Sequence, residues 1–318
     1  MHVGILGSGR WATFLAWYTR QLGHAVTLWG RTQSERFRQL QTSRRNATVT
    51  LQNDIALVDN LTVVSNCDYL LIAVAAQSLR DVLNECQIQK LQIPIVLCMK
   101  GLETKSGLRL SQVATQCLDE NYPTAVWLGP GHPQDFAAGI PNCMVIDSQH
   151  DALRRDAADA FSSPLIRIYY GNDLIGNEIG AAAKNVVGIA AGMLDGSGRS
   201  SLKGALMARG AYEISQLTAK LGGDIRSTYG LCHLGDYEAT LFSPHSQNRL
   251  YGEQFIQGKP SQKLAEGYHS VPAFIELAQQ QQIELPICQA VYDIIYKHAD
   301  TAVVLERLFA RETRYEFI

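Results

Sequence analysis

Residues 2–12 read His2-Val3-Gly4-Ile5-Leu6-Gly7-Ser8-Gly9-Arg10-Trp11-Ala12. A short apolar strand, Val3 to Leu6, runs straight into Gly7-x-Gly9-x-x-Ala12. A helix-like segment follows over 13–21, and a second apolar strand over 25–29. This is the βαβ order in which a dinucleotide pyrophosphate rests on a helix N-terminus. Gly7 can supply the tight turn, Gly9 the close backbone approach to phosphate, and the small Ala12 the tight helix–strand packing. A glycine turn in another doubly wound protein is the competing reading. Correct context on both sides of the motif favours the nucleotide site.

The tip of the second strand reads Leu28-Trp29-Gly30-Arg31-Thr32. An NAD-selective site usually carries an acidic residue there, to hold the ribose 2′-hydroxyl. None is present, and Glu35 is the nearest. Arg31 can instead meet a 2′-phosphate, with Arg36 as a second cation. NADP(H) is therefore the favoured cofactor and NAD(H) the alternative, in which Arg31 only stacks on adenine.

The chain has 318 residues, 46% hydrophobic, with a net charge of −2. That composition describes an ordinary globular protein. No basic stripe suggests nucleic acid, and no apolar run is long enough to span a bilayer. The sequence begins directly on a strand without a charged-then-apolar leader, so a cytoplasmic location is expected. The seven cysteines (67, 86, 98, 117, 143, 232, 288) are scattered without metal-ligand spacing. Buried, reduced thiols are expected, and no metal.

Two halves differ in grammar. Strands are predicted at 2–6, 25–29, 61–64, 69–74, 94–98, 124–128, 143–146 and 166–170, separated by helical stretches. Their near-continuous Val/Ile/Leu character suits a parallel sheet covered on both faces. From about 172 the alternation stops. Helices are predicted at 174–194, 202–221, 261–281 (with Pro272 near the middle) and 287–299, with one more at the C-terminus. The fold expected is a Rossmann-type doubly wound α/β sheet over 1–171, followed by an all-α substrate domain over 172–318. Pockets form readily between two such domains. The Gly/Ser-rich segment from Gly192 to Gly204 reads as a mobile connection.

The first helix of the second half carries Gly176, Gly180, Lys184, Gly188 and Gly192, each four residues from the last. Residues at i and i+4 lie one above the other on a helix. The row is a ridge nearly bare of side chains except for one lysine. Interior glycines cost ~1 kcal/mol each relative to alanine, which implies close approach of another backbone or a ligand. A lysine isolated there is poorly solvated, with a lowered pKa suited to proton transfer. A lysine snorkelling to solvent is the rival reading. Asn185 beside it can orient a substrate oxygen. Lys100 follows an apolar strand, at the carboxyl end where such sheets bind ligands. Asp236, at the end of Leu231-Cys232-His233-Leu234-Gly235, can pair with Lys184. Thr240, Ser246, Asn248 and Arg249 follow as a polar cluster, either an anion cradle or a solvated loop.

These residues resemble the NAD(P)-dependent glycerol-3-phosphate dehydrogenase family of the bacterial type, over nearly the full length. The resemblance is carried by Gly7-x-Gly9-x-Trp11, Leu28-Trp29-Gly30-Arg31, Lys100-Gly101-Leu102-Glu103 and Gly176-Asn-Glu-Ile-Gly180-Ala-Ala-Ala-Lys184-Asn185-Val186. It continues in Leu234-Gly235-Asp236, Asn248-Arg249, Ala265-Glu266-Gly267 and Leu285-Pro286-Ile287. It implies reversible hydride transfer between nicotinamide C4 and C2 of dihydroxyacetone phosphate or sn-glycerol 3-phosphate. That reaction supplies glycerol 3-phosphate for phospholipid synthesis. The resemblance makes Lys184 the general acid or base at the C2 oxygen, positioned by Asp236. It puts Lys100 on substrate and nicotinamide, and Asn185 and Thr240 in the same network. It implies a substrate shell that includes Gly129, Gly131, Ser246, Gln247, Asn248 and Arg249. It lays Arg10, Trp11, Arg31, Pro133 and Gln247 along the cofactor, with Glu266 near the nicotinamide ribose.

Two departures from the family pattern touch that shell. The usual Ser-Arg-Asn run is Ser246-Gln247-Asn248, so an arginine that normally meets the substrate phosphate and cofactor is missing, with Arg249 a displaced substitute. The usual Gly-Pro-Ser/Thr-Phe-Ala segment is Gly129-Pro130-Gly131-His132-Pro133, which loses a hydroxyl and gains a histidine. A family member reducing another small ketone, and a non-catalytic dinucleotide sensor, are the rival functions. The sequence leaves oligomeric state open, with a homodimer as one candidate.

Overall fold

The computed structural model describes residues 1–86, 93–260, 265–312 and 315–316. The strands are β1 (His2–Leu6), β2 (Ala25–Trp29), β3 (Ala56–Val58), β4 (Tyr69–Ile72), β5 (Ile95–Leu97), β6 (Thr124–Leu128), β7 (Asn142–Ser148) and β8 (Ile166–Tyr170). They form one sheet in the order β3-β2-β1-β4-β5-β6-β7-β8. Each neighbouring pair is parallel except β6 with β7. The helices of this half are α1 (Arg10–Gln21), α2 (Glu35–Ser43), α3 (Leu79–Cys86), α4 (Leu110–Cys117), α5 (Pro133–Ala137) and α6 (Asp151–Phe161).

The strands carry apolar residues at consecutive positions because both faces are covered. Val3, Ile5, Leu71, Val96, Ala125 and Trp127 join the core on one face. Leu6, Leu70, Ile72, Leu97, Val126 and Leu128 join the core on the other. Alternation along a strand sends neighbours to opposite faces, so two buried faces require an unbroken apolar run. The chain turns from β1 to α1 where the strand order changes direction. That switch point is where ligands of such sheets bind.

The second half is helical: α7 (Leu174–Gly196), α8 (Lys203–Lys220), α9 (Gln247–Ile256), α10 (Glu266–Gln280), α11 (Pro286–Tyr296) and α12 (Thr301–Phe309). Short 3-10 turns lie at 225–229 and 234–236, and one π-helical turn at 238–242. Helix α7 is the axis of this half, with 18 of its 23 residues buried. Two ties bind it to the sheet half. Glu178 accepts from the Ser111 backbone N–H at 2.8 Å and pairs with Arg109 at 2.6 Å. Asn177 donates to Asp147 at 2.7 Å. Among the described residues no helix is long and apolar enough to cross a membrane.

The expected doubly wound sheet followed by helices is the observed fold. Three local expectations fail. Residues 61–64 form a 3-10 helix (Leu61–Asn66), and the third strand is instead Ala56–Val58. A run of Leu, Thr and Val has strand-like composition, but Asn60 accepts from the Thr62 N–H and caps a helical turn. The predicted connection from Gly192 begins later, because α7 continues to Gly196. Helix α9 lies where only a polar cluster was read, since Ser246 caps it by accepting from the Arg249 N–H. Of the predicted helix 261–281, residues 266–280 are helical around Pro272, and 261–264 lie outside the described residues.

The later glycines of α7, from Gly188 on, are explained by α9 and the turn before it. A Cβ at Gly188 would lie 2.7 Å from the Thr240 methyl and 3.3 Å from Asn248 Cβ. One at Gly192 would run into the Arg249 carbonyl oxygen, and one at Gly252 into that of Ile189. The two helix backbones therefore touch. Gly192→Ala is expected to destabilise by about 2 kcal/mol or more, because overpacking of backbone against backbone outweighs the gain in helix propensity. Gly204, helical and with open space at its Cβ position, is the control. Gly204→Ala should be neutral or slightly stabilising. Urea midpoints of the two variants check both, and equal midpoints would contradict the packing account.

Candidate active site

The glycine ridge presents Lys184 to the sheet half. Its residue is 8% exposed and that of Asp236 only 1%. Lys184 Nζ lies 2.9 Å from Asp236 Oδ2 and donates to Thr240 Oγ1 at 2.8 Å. The Thr240 hydroxyl in turn reaches Asp236 Oδ1 at 3.5 Å. Lys100, just past the carboxyl end of β5, donates to the same Asp236 Oδ2 at 2.6 Å and to the Gly129 carbonyl at 2.5 Å. One carboxylate thus serves two ammonium groups drawn from both halves of the chain. Three elements position it: the end of β5, the middle of α7, and the turns at 234–242.

The charges follow from that arrangement. Burial pushes the Asp236 carboxyl up, but the two lysines outweigh burial and hold it below its ordinary value. Lys184 is lowered to about 8, by burial first and by Lys100 as well, with Asp236 opposing. An ammonium group has three N–H donors. Asp236 and Thr240 take two, so a third remains for a substrate oxygen. A buried lysine near pH 8 with a spare donor can give or accept a proton at neutral pH.

His233, 0% exposed, braces the turn that carries Asp236. Its Nδ1 lies 2.8 Å from the Gly180 carbonyl and its Nε2 2.8 Å from the Tyr237 hydroxyl. A Cβ at Gly180 would lie 2.8 Å from His233 Cβ, which accounts for that glycine. Asn185 sits in a relay: its Oδ1 accepts from Asn248 Nδ2 at 3.0 Å, and Asn248 Oδ1 accepts from the Gly267 N–H at 2.9 Å. The relay clips α7, α9 and α10 together beside Lys184.

The remaining predicted residues spread around this centre. Ser246 caps α9, and the half-buried Gln247 donates to the His245 carbonyl at 3.2 Å. The Arg249 guanidinium is committed to Asp195 at 2.7 Å, to Glu253 at 3.1 Å and to the Ser243 carbonyl. Its charge is thus already engaged by two carboxylates in a part-buried network rather than free to replace the cation missing at 247. Gly131 has φ of +126°, and a Cβ there would strike the Phe136 ring. Pro133 opens α5 and is buried. Glu266, the first residue of α10, has a carboxyl pushed up to about 7 by burial.

At the other end, Gly7 has φ of +129°, and any Cβ would meet the Ala73 carbonyl. Ala12 is fully buried behind it. Gly9 differs: its Cβ position faces open space. It precedes α1 and provides no side-chain cap. The space in front of this helix N-terminus fits a pyrophosphate, whose approach a side chain at 9 would obstruct. Trp11 stacks on Phe14 with centroids 5.2 Å apart. Arg10, Arg31 and Arg36 are exposed, and none of them pairs with a carboxylate among the described residues. The pKa of Arg10 is lowered, by partial desolvation of its guanidinium first and by the charge of Arg36 second. A cavity of about 770 Å³ lies elsewhere, among α8, α11 and α12, and includes neither lysine of the charged centre.

Sequence reading paired Asp236 with Lys184 but missed its second partner, Lys100. A strand-end lysine and a turn aspartate 136 residues apart carry no local signal of contact. It also missed the contact of His132 with the turn at 238–242, for the same reason.

Family models agree with this geometry. The N-terminal domain of NAD-dependent glycerol-3-phosphate dehydrogenase matches residues 2–154, and the C-terminal domain matches 173–306. The chain belongs to the NAD-dependent glycerol-3-phosphate dehydrogenase family. Among its relatives, the glycerol-3-phosphate dehydrogenase (NAD(P)+) of Chelativorans sp. is 33% identical, over 99% of this chain and 98% of that one. The enzyme of the same name from Caulobacter vibrioides is 34% identical, with the same coverage of each chain. The crystal structure of glycerol-3-phosphate dehydrogenase from Coxiella burnetii superposes with a TM-score of 0.90 at 26% identity, over 98% of this chain and 99% of that one.

For this family member, Gly9→Val is expected to keep the fold, since nothing in the protein opposes the side chain, and to lose nucleotide binding. Unchanged thermal melting together with at least about 10-fold weaker cofactor affinity in a fluorescence titration checks it. Binding as tight as in the parent would remove the pyrophosphate from this loop.

Proposed function

We propose that the protein catalyses reversible hydride transfer between NAD(P)H and C2 of dihydroxyacetone phosphate, forming sn-glycerol 3-phosphate. The observation that carries this reading is the lysine–aspartate–lysine centre, with a spare donor on Lys184. The nicotinamide supplies the hydride when bound. The protein's part is to bind, orient and move the proton. Lys184 gives its proton to the C2 oxygen in reduction and takes one in oxidation, with Asp236 and Thr240 holding Nζ in place. Lys100, held by Asp236 and the Gly129 carbonyl, contacts the substrate and keeps it beside the cofactor. Gly7, Gly9 and Ala12 are taken as the pyrophosphate cradle, residues 1–171 as the dinucleotide domain and 172–318 as the substrate domain. The cellular role proposed is supply of glycerol 3-phosphate for phospholipid synthesis in the cytoplasm.

The uncharged Gln247 favours one rival, a different small ketone as substrate. A binding-only sensor is disfavoured, because it has no use for a buried lysine held near neutrality. Following NAD(P)H absorbance with dihydroxyacetone phosphate and with a panel of unphosphorylated ketones separates the three.

Reduction needs the protonated amine, so its kcat/KM should fall as pH rises through about 8. Oxidation needs the neutral amine and should rise through the same range. Lys184→Met should lower kcat by at least ~100-fold and flatten both profiles, while cofactor binding stays near normal. An unchanged pH profile in that variant would remove Lys184 from the proton transfer.

On cofactor choice, Arg31 and Arg36 follow β2, Glu35 is the nearest acidic residue in the sequence, and Asp59 at the end of β3 is engaged by the Thr32 hydroxyl at 3.4 Å. The two arginines are assigned to a 2′-phosphate, with NADP(H) preferred over NAD(H). Arg31→Ala should weaken NADPH by about 10-fold and NADH far less, since a charge-assisted contact worth ~1.5–3 kcal/mol exists only with the phosphate. Equal losses in a paired titration would leave adenine stacking as the role of Arg31.

A further inference from the structure

His132 lies at the end of the loop after β6, beside the charged centre. Its Nε2 is 2.8 Å from the Ala239 carbonyl. A carbonyl only accepts, so Nε2 carries the proton. Burial lowers the ring's pKa below its ordinary value and the charge of Lys184 lowers it further, against the Ala239 carbonyl, Asp236 and Asp135, so the ring is kept neutral. In a neutral imidazole with the proton on Nε2, Nδ1 is a bare acceptor. The ring is held from two further sides. His245 meets it edge-on, with centroids 5.8 Å apart and planes at 74°. The left-handed turn at Gly131, packed on Phe136, sets its backbone. The residue after Ala239 is Thr240, the partner of Lys184 Nζ. The ring is therefore anchored on the residue next to the one that grips the proton-transfer lysine.

We propose that His132 is a specificity-determining residue: its Nδ1 accepts a hydrogen bond from the free hydroxymethyl arm of the substrate. This rests on the reaction proposed above. The chemistry points one way. A lone pair attracts a hydroxyl hydrogen and repels a phosphate dianion. The hydroxyl arm therefore lies on the loop at 129–132, and the phosphate arm lies toward the Ser246–Asn248 end of α9. Substrate orientation is set by an acceptor on one side as much as by donors on the other.

The probe pair is dihydroxyacetone phosphate against hydroxyacetone phosphate, which lacks the hydroxyl. The parent should favour the first by about 10-fold in kcat/KM, the scale of one hydrogen bond. Two variants divide the ring's functions. His132→Gln can keep a donor for the Ala239 carbonyl while losing the acceptor at Nδ1. His132→Asn places an oxygen near Nδ1 while losing the Nε2 donor. Discrimination should collapse to within about 2-fold in His132→Gln and persist in His132→Asn. Activity on hydroxyacetone phosphate and cofactor affinity should be little changed in His132→Gln, which also reports that it folds. A His132→Gln variant that still discriminates as the parent does, or a parent that turns over both ketones equally, overturns the inference and leaves the proposed reaction standing. A parent inactive on both phosphorylated ketones overturns both.

Discussion

A single buried carboxylate shared by two lysines is the interaction on which the rest of the molecule depends. Asp236 lies between Lys100 from the sheet half and Lys184 from the helical half. Two cations and one anion leave the cluster with an excess positive charge in a poorly hydrated place. Such a place is costly unless every charge is paired and hydrogen-bonded. Removing one partner of a buried pair typically costs about 3–5 kcal/mol. Burial brings Lys184 down to about 8, with Asp236 opposing and Lys100 adding to the fall. Stability and chemistry are thus set by one geometry: the contact that joins the halves also poises the proton donor.

Bringing two helices and a turn close enough to build that cluster requires the removal of side chains. The glycines of α7 let His233, Thr240 and the α9 backbone approach to contact distance. Each glycine weakens the isolated helix. The loss is offset by packing that only the folded protein possesses, which is why α7 is almost wholly buried. Its alanines at 181–183 serve the same end. Lys184 is the long side chain on a face otherwise built for close backbone contact.

The departures from the family pattern acquire physical content in this setting. Gln247 leaves the start of α9 without a side-chain cation, and Arg249 is held in a part-buried network with Asp195 and Glu253. Meanwhile the loop after β6 has gained a neutral imidazole anchored to the Ala239 carbonyl. The substrate shell proposed above departs from the family pattern at both ends, while the lysine–aspartate–lysine centre with its threonine is intact. Chemistry is kept where charge balance constrains it and varied where only recognition is at stake.

Much of this was legible in the sequence because the signals are local. The Gly7-x-Gly9-x-x-Ala12 turn, the continuous apolar runs of the parallel strands, and the i, i+4 glycine ridge around Lys184 each depend on backbone geometry within a few residues. They were enough for the doubly wound sheet, the switch to helices near residue 172 and the burial of Lys184 on the glycine ridge. Local signals also misled: Leu61-Thr62-Val63-Val64 has strand composition, yet Asn60 turned it helical. What only the tertiary structure decided is where distant charges meet. Nothing near Lys100 announces Asp236, nothing near Arg249 announces Asp195, and nothing near His132 announces Ala239. A charge's partner and its pKa depend on burial and on neighbours brought together by folding, not on residues adjacent in the chain.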